Sequence, residues 1–216
     1  MGPQRNLTSS TGPRHGLDGV LVLPRPGGAV GLPCPGVLVG GPVVRVTVGV
    51  VVGVPGGADG VTVGVLVGVN AWGDVVDPQT NQILAGLRSG KVGPLRVGKK
   101  DYFADTIRMM QSTVGRGILN LATRTNTVIG VVGTNAKLTK AQATKVAQMA
   151  QDAVARTIRP AHTLLDGDVI FALSTGTRKA DISTIGAFAA EVMVEAILRA
   201  VRKAAPAGGL PGLYHK

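Results

Sequence analysis

The chain has 216 residues, a formal net charge of +11, 44% hydrophobic residues and only 3% aromatic residues. This length is enough for one domain with a sizeable core or for two small ones. The basic residues are dispersed and form no patch interleaved with aromatic residues, which argues against a dedicated nucleic-acid-binding module. A solvated, soluble surface accounts for the charge instead.

The cysteine and histidine content excludes two further classes of site. A single cysteine, Cys34, cannot form an intramolecular disulfide and favours a reducing compartment. The three histidines (His15, His162 and His215) have no metal-ligand spacing with it. We therefore expect neither a metal ion nor a cofactor.

The N-terminal sequence lacks the basic and then apolar pattern of a signal peptide. A long apolar stretch at 37–69 is rich in glycine, and prolines and charged residues interrupt it at Pro42, Arg45, Pro55 and Asp59. These interruptions argue against a membrane-spanning helix. We predict a cytoplasmic protein that binds no membrane, and we expect a homo-oligomer.

The first part of the chain has an unusual composition. Residues 1–15 are polar and predicted to be disordered. Residues 16–69 consist mostly of Val, Gly and Pro and contain no Lys or Glu, so strands can form there but their register is poorly specified. Three interpretations stay open: a Val-rich sheet, a low-complexity segment, or a mistranslated part of a GC-rich reading frame. We divide the chain into a poorly specified segment at 1–59 and a folded domain at 60–216.

The first clear element is a strand over Val61–Val69, where valines alternate with Thr, Gly and Leu. This strand ends at Asn70. Residues 78–100 are predicted to be a polar loop, and a short helix is possible within 101–122.

The segment Arg124–Asn135 places Thr127 directly after Asn126, at the head of a strand predicted over Val128–Val132. Such a threonine could be a nucleophile if its hydroxyl is activated. One activation route needs no histidine, because a threonine that begins a chain can use its own α-amine as the base. That route requires prior cleavage of the Asn126–Thr127 bond. The alternative interpretation is an ordinary Asn-Thr turn.

The remaining chain alternates helix and strand. Thr139 is predicted to cap a helix that runs to Arg159, where Pro160 stops it. A second buried strand is predicted over Val169–Leu173 and a loop over Ser174–Asp181.

A last helix is predicted near 184–203, with Thr184 as its cap. Each of the two helices needs a sheet face to cover, so the pattern predicts a layered α/β domain.

Several separated motifs within about 60–205 resemble the DmpA-type peptidases, which include the L-aminopeptidase/D-esterases, the β-peptidyl aminopeptidases and the nylon-oligomer hydrolase NylC. The motifs are Thr62-Val63-Gly64 with Val69-Asn70-Ala71-Trp72-Gly73-Asp74, Asn126-Thr127-Val128-Ile129-Gly130-Val131, Leu138-Thr139-Lys140-Ala141-Gln142-Ala143, Ile158-Arg159-Pro160, and Asp166-Gly167-Asp168-Val169-Ile170-Phe171-Ala172-Leu173-Ser174-Thr175-Gly176.

The resemblance implies an αββα sandwich with an N-terminal-nucleophile mechanism and a precursor that cleaves itself between Asn126 and Thr127. The Thr127 hydroxyl would attack the Asn126 carbonyl, and water would hydrolyse the resulting ester. The freed α-amine, with an ordinary pKa of about 8, could then accept the hydroxyl proton during attack on a small peptide or amide substrate.

Three more site residues are carried over from the resemblance. Asn70 matches an asparagine whose side-chain amide stabilises the oxyanion; alternatively, it caps the end of its strand. Asp166 and Asp168 match carboxylates beside the nucleophile in the nylon-hydrolase branch, where they could orient Thr127 or hold its ammonium form. Their alternative is an ordinary Asp-Gly-Asp turn.

The chain also departs from the family. The family has a longer region before its cleavage site and draws a lysine, and often a tyrosine, from it, whereas the first such residues here are Lys91 and Tyr102. Two alternatives to a self-processing amide hydrolase stay open, and the missing lysine supports the second of them. One is an acyl transferase like the ornithine acetyltransferases, and the other is an inactive, truncated family member that acts as a scaffold.

Overall fold

The computed structural model describes residues 45–53, 60–92, 95–97, 103–113, 115–116, 126–206 and 212–213. Most of the segment predicted to be poorly specified, 1–44 and 54–59, lies outside these residues. Its remaining part, Arg45–Gly53, forms a strand, β1, on the N-terminal side of the predicted boundary at residue 60.

A four-stranded sheet forms the centre of the fold, in the order β1-β2-β7-β9. Beside β1 it contains β2 (Thr62–Asn70), β7 (Thr127–Ala136) and β9 (Val169–Arg178). β2 is antiparallel to β1 and β7, whereas β7 and β9 are parallel. The three predicted strands are confirmed, but Ser174–Arg178 continues β9 instead of beginning the predicted loop.

Two long helices cover one face of this sheet: α2 (Lys140–Thr157) and α3 (Ile182–Arg202). They pack against each other, with α3 on β1 and β2 and α2 mainly on β9. Apolar side chains from the sheet and both helices form one buried core, which includes Val63, Val67, Val128, Val132, Val146, Val154, Ile185, Met193 and Ile197. The predicted α/β class is confirmed.

The opposite face of the sheet carries apolar side chains that are about half exposed, namely Leu66 at 44%, Ile129 at 50%, Phe171 at 54% and Leu173 at 46%. The alternation of strand side chains produces this second face, because neighbouring residues point to opposite sides. Within the described residues, the four-stranded sheet is thus covered by helices on one face only.

The segment predicted as a loop, 78–100, contains three short strands, so that prediction is wrong. They are β4 (Ile83–Ala85), β5 (Gly90–Val92) and β6 (Leu95–Val97). Strands of three residues carry too little hydrophobic alternation to be recognised from the sequence. A short helix, α1 (Thr106–Gln111), lies within the range where one was considered possible.

β4 belongs to a second sheet with the order β4-β3-β8, in which β3 is Asp74–Val76 and β8 is Ile158–Arg159. The predicted helix end at Arg159 is therefore two residues too late. Ile158 leaves the helix because its backbone pairs with Val75 of β3.

The two long helices begin differently from each other. Thr139 caps α2 as predicted: its hydroxyl accepts from the Gln142 amide at 3.3 Å, and the Gln142 side chain accepts from the Thr139 amide at 2.8 Å. The predicted cap of α3 is wrong, because Asp181 is the capping residue and accepts from the Thr184 amide at 2.7 Å. Among the helices that the structure describes, none is both long and apolar enough to cross a membrane.

Candidate active site

The candidate site residues come from three strand ends that meet at one edge of the central sheet. β2 ends at Asn70, β7 begins at Thr127, and the Asp166–Asp168 turn leads into β9. Because β2 runs antiparallel to β7 and β9 parallel to it, the end of the first strand lies beside the beginnings of the other two. The topology therefore gathers residues that are nearly 100 positions apart in the sequence.

Thr127 contacts the peptide group that precedes it. Its hydroxyl donates to the carbonyl oxygen of Asn126, with 2.6 Å between Oγ1 and that oxygen. Both residues are partly exposed, so the bond between them is not sealed in the core. The hydroxyl thus lies against the carbonyl group that it would attack in self-cleavage.

Asp168 is held beside Thr127 by the backbone of β7. Its Oδ1 accepts a hydrogen bond from the Val128 amide at 2.8 Å, and its Oδ2 lies 3.7 Å from His162 Nδ1. Its side chain is only 5% exposed. Burial raises the pKa of the Asp168 carboxyl above its ordinary value and the charge of Asp166 adds to this, while the Val128 amide and His162 oppose the rise.

Asp166 has a different set of partners. The backbone of Asp166 forms a parallel β-bridge with Asn126. Its Oδ2 accepts hydrogen bonds from the Thr163 amide at 2.9 Å and from the Thr163 hydroxyl at 2.8 Å. Within the described residues, neither Asp166 nor Asp168 accepts a hydrogen bond from the Thr127 hydroxyl of the uncut chain. Asp168 instead contacts the residue after Thr127, and the Asp166 carboxylate stabilises the turn that leads into Gly167.

Asn70 is the register partner of Thr127 across the antiparallel pair of β2 and β7. Directly opposed residues of an antiparallel pair have Cα atoms roughly 4.5–5.5 Å apart. The backbone therefore places the Cα atom of Asn70 directly opposite that of Thr127.

Sequence reasoning missed the structural role of Asp74, which lies close to the site in the chain. It is 2% exposed and accepts from the Leu87 amide at 3.0 Å, the Thr106 amide at 2.6 Å and the Thr106 hydroxyl at 2.9 Å. Burial raises the pKa of this carboxyl above its ordinary value, although the hydrogen bonds from Thr106 and Leu87 oppose the rise. Asp74 thereby connects β3 to Leu87 and to Thr106, the first residue of α1. Its sequence context gives no sign of this, because both partners are distant in the chain.

The site chemistry is that of hydroxyl, carboxylate, amide and imidazole groups. In the part of the chain that the structure describes, no group of three or more His, Cys, Asp or Glu side chains is placed to hold a metal ion. A hydroxyl against a carbonyl group, with carboxylates nearby, suits acyl transfer to the hydroxyl oxygen.

Known proteins similar to this chain are peptidases and amide hydrolases. The chain is 37% identical over 157 residues to an uncharacterized aminopeptidase of Mycobacterium tuberculosis, a match that covers 66% of this chain and 44% of the relative. It is 30% identical over 90 residues to the 6-aminohexanoate-oligomer endohydrolase of a Kocuria species, covering 36% of this chain and 25% of the relative. The chain thus spans less than half the length of these relatives.

Among solved structures, an L-aminopeptidase D-Ala-esterase/amidase from Ochrobactrum anthropi aligns with a TM-score of 0.44 and 17% identity, covering 78% of this chain and 42% of that one. The profile of Peptidase family S58 matches residues 47–214, which is well over half of the chain. The resemblance to the DmpA-type peptidases is confirmed, and the chain belongs to peptidase family S58.

Proposed function

We propose that this chain is the precursor of an amide hydrolase of the aminopeptidase type, which cleaves its own Asn126–Thr127 bond and then uses Thr127 as an N-terminal nucleophile. The observation that carries the proposal is the 2.6 Å contact between Thr127 Oγ1 and the carbonyl oxygen of Asn126. Family membership supports the reaction class, and the placement of Thr127 at the first position of β7 supports its role.

The self-cleavage step begins with attack of Thr127 Oγ1 on the carbonyl carbon of Asn126. A new C–O bond forms, the C–N bond between the two residues breaks, and the hydroxyl proton passes to the departing nitrogen. Water then hydrolyses the ester, which leaves the Asn126 carboxylate and a free Thr127 hydroxyl. The new α-amine of Thr127 becomes the base for the next reaction.

Asp168 is proposed to position the nucleophile. Because its Oδ1 accepts a hydrogen bond from the Val128 amide at 2.8 Å, it fixes the start of β7 immediately after Thr127. After cleavage, the same carboxylate can attract the ammonium form of the new N-terminus. Asp166 is proposed to shape the adjacent turn through Thr163, and Asn70 to donate to the oxyanion that forms on a substrate.

The proposed substrates are small peptides or amides, in agreement with the names of the relatives. A time course tests the proposal: purified protein is incubated, and both chain cleavage and hydrolysis of aminoacyl anilides and 6-aminohexanoate oligomers are followed. We expect hydrolysis to rise only as the cleaved form accumulates. Thr127→Ala should stay whole and inactive, whereas Thr127→Ser retains the hydroxyl and should cleave. Parallel loss of cleavage and activity in the Ser variant would count against the role of the hydroxyl.

A further inference from the structure

We infer that Gly167 is a catalytic residue of the self-cleavage step, with two separate contributions: its main-chain amide stabilises the oxyanion on Asn126, and its lack of a side chain leaves room for the Thr127 hydroxyl. This inference rests on the proposed self-cleavage and adds the group that activates the scissile carbonyl.

The first contribution comes from a backbone hydrogen bond. The Gly167 amide donates to the carbonyl oxygen of Asn126 at 3.0 Å. When Thr127 Oγ1 attacks the carbonyl carbon, negative charge develops on this oxygen. A preorganised main-chain N–H that already points at the oxygen stabilises that charge more than it stabilises the neutral carbonyl. Gly167 thus occupies the position of an oxyanion-hole donor for the chain's own peptide bond.

The surrounding turn explains why the amide points there. Asp166 forms a parallel bridge with Asn126, and its carboxylate holds the turn through the amide and hydroxyl of Thr163. These contacts fix the backbone on the N-terminal side of Gly167. On its C-terminal side, Asp168 is fixed by the Val128 amide. Gly167 therefore lies between two anchored carboxylates, and its amide is held over the scissile bond.

The second contribution is steric. A Cβ atom added to Gly167 would lie 3.0 Å from Thr127 Oγ1 and 3.6 Å from the Asn126 carbonyl oxygen. The first distance is shorter than ordinary van der Waals contact, so the hydroxyl would have to shift. The φ angle of Gly167 lies outside the left-handed region, and the residue is exposed. Neither backbone strain nor burial therefore requires a glycine here, and the Thr127 hydroxyl is the neighbour that a side chain would crowd most closely.

The two groups that Gly167 faces, the Asn126 carbonyl and the Thr127 hydroxyl, belong to the residues on either side of the bond that is broken. Once the chain is cut, the Asn126 carbonyl becomes a carboxylate at the end of the other fragment, and it can leave the site. The Gly167 amide is then free to receive the carbonyl oxygen of a substrate. One main-chain donor would serve the precursor first and the substrate afterwards.

The test compares Gly167→Ala with Gly133→Ala. Gly133 lies on β7, and an added Cβ there would meet Leu173 at 3.6 Å, which is an ordinary contact. We expect Gly167→Ala to fold with wild-type circular dichroism and to cleave itself roughly 10-fold to 100-fold more slowly, since small displacements of a reacting group have effects of this size. Gly133→Ala should cleave at the wild-type rate.

A second measurement detects the amide directly and needs no cleavage. In intact Thr127→Ala protein labelled with 15N and 13C, a coupling across the hydrogen bond should connect the Gly167 nitrogen and the Asn126 carbonyl carbon. Absence of this coupling, or wild-type cleavage by Gly167→Ala, would overturn the inference while the proposed function stands. A wild-type chain that stays intact would overturn both.

Discussion

Asp168 is joined to Val128 by a hydrogen bond of 2.8 Å from the main-chain amide to the buried carboxylate. The bond spans 40 positions of sequence and ties the turn before β9 to the residue after Thr127. Strand β7 therefore begins at a position fixed by a side chain from the turn that precedes the neighbouring strand, β9.

Replacing Asp168 by asparagine should slow self-cleavage without unfolding the domain. The amide oxygen of Asn can still accept from Val128, but the negative charge is lost. A hydrogen bond to a charged group contributes about 1.5–3 kcal/mol and a neutral one about 0.5–1.5 kcal/mol, so the Asn variant should hold the start of β7 more weakly by about 1 kcal/mol. We therefore expect cleavage to slow by up to roughly tenfold. Rates of fragment formation measure the effect, and Asp152→Asn, on the exposed side of α2, is the control.

The variant Asp168→Ala provides the structural comparison. It leaves the Val128 amide without its partner, which costs about 1–3 kcal/mol of unfolding free energy. If the Asn variant cleaves and unfolds like the wild type while the Ala variant is impaired in both, the carboxylate has no role beyond holding the backbone.

Replacing Asn70 by alanine should impair substrate hydrolysis. Loss of one oxyanion donor costs about 2.7–4 kcal/mol in other hydrolases, or 10²–10³ in kcat. The residue ends β2 opposite Thr127, so its backbone pairing should survive the substitution. Steady-state kinetics of the cleaved protein provide the measurement. An unchanged kcat together with a lower melting temperature would identify Asn70 as a strand cap instead.

The sequence predicted where Asn70 and Thr127 lie in the fold because both stand at the ends of regular strands. Alternating valines located the end of β2 at Asn70, and a β-branched run located the start of β7 at Thr127. The pairing of these two strands brings both residues together. Gly167 was passed over as part of a turn, because the sequence shows no sign that its amide reaches Asn126.

Other errors came from elements whose signals are weak or ambiguous. Thr184 and Asp181 are both good capping residues, and only the backbone conformation shows that Asp181 occupies the cap. Ile158 fits the apolar stripe of α2, yet its pairing with Val75 removes it from the helix. Tertiary pairing overrode local preference at that position.

The stability of the protein should depend on pH through Asp74. Its pKa is raised above the ordinary value of 3.8, mainly by burial. A carboxyl with a raised pKa keeps its proton to a higher pH in the folded chain than in the unfolded chain. Its contribution to the unfolding free energy therefore falls as the pH rises from about 4 through the folded-state pKa. Urea unfolding at several pH values measures this effect. The unfolding free energy of Asp74→Asn should decline less with rising pH than that of the wild type.

Asp181 provides a control of opposite sign. Its pKa is lowered, chiefly by the hydrogen bond from the Thr184 amide. Its contribution to stability is present above the unfolded-state pKa and is lost as the pH falls through the folded-state pKa. Asp181→Asn should therefore lose less stability than the wild type as the pH falls below about 4, and it should leave the decline above about pH 4 unchanged. Equal pH profiles of stability for the two variants would refute the opposite directions of the Asp74 and Asp181 pKa shifts.

The cap of α2 should contribute measurably to stability. Thr139→Ala removes the hydroxyl that accepts from Gln142, and loss of such a cap costs about 1 kcal/mol. Thr144→Ala is the matched control, because its exposed hydroxyl donates within the same helix to Lys140. Chemical denaturation of both variants checks the prediction, and equal losses in the two would contradict it.

Self-cleavage is the central claim, and N-terminal sequencing of the purified, incubated protein tests it most directly. We predict two fragments by intact mass, the smaller one comprising residues 127–216 and beginning with Thr127. Thr127→Ala should give one undivided chain under the same conditions. A wild-type chain that hydrolyses amides while it remains intact would contradict the account, because an internal threonine has no α-amine to activate it.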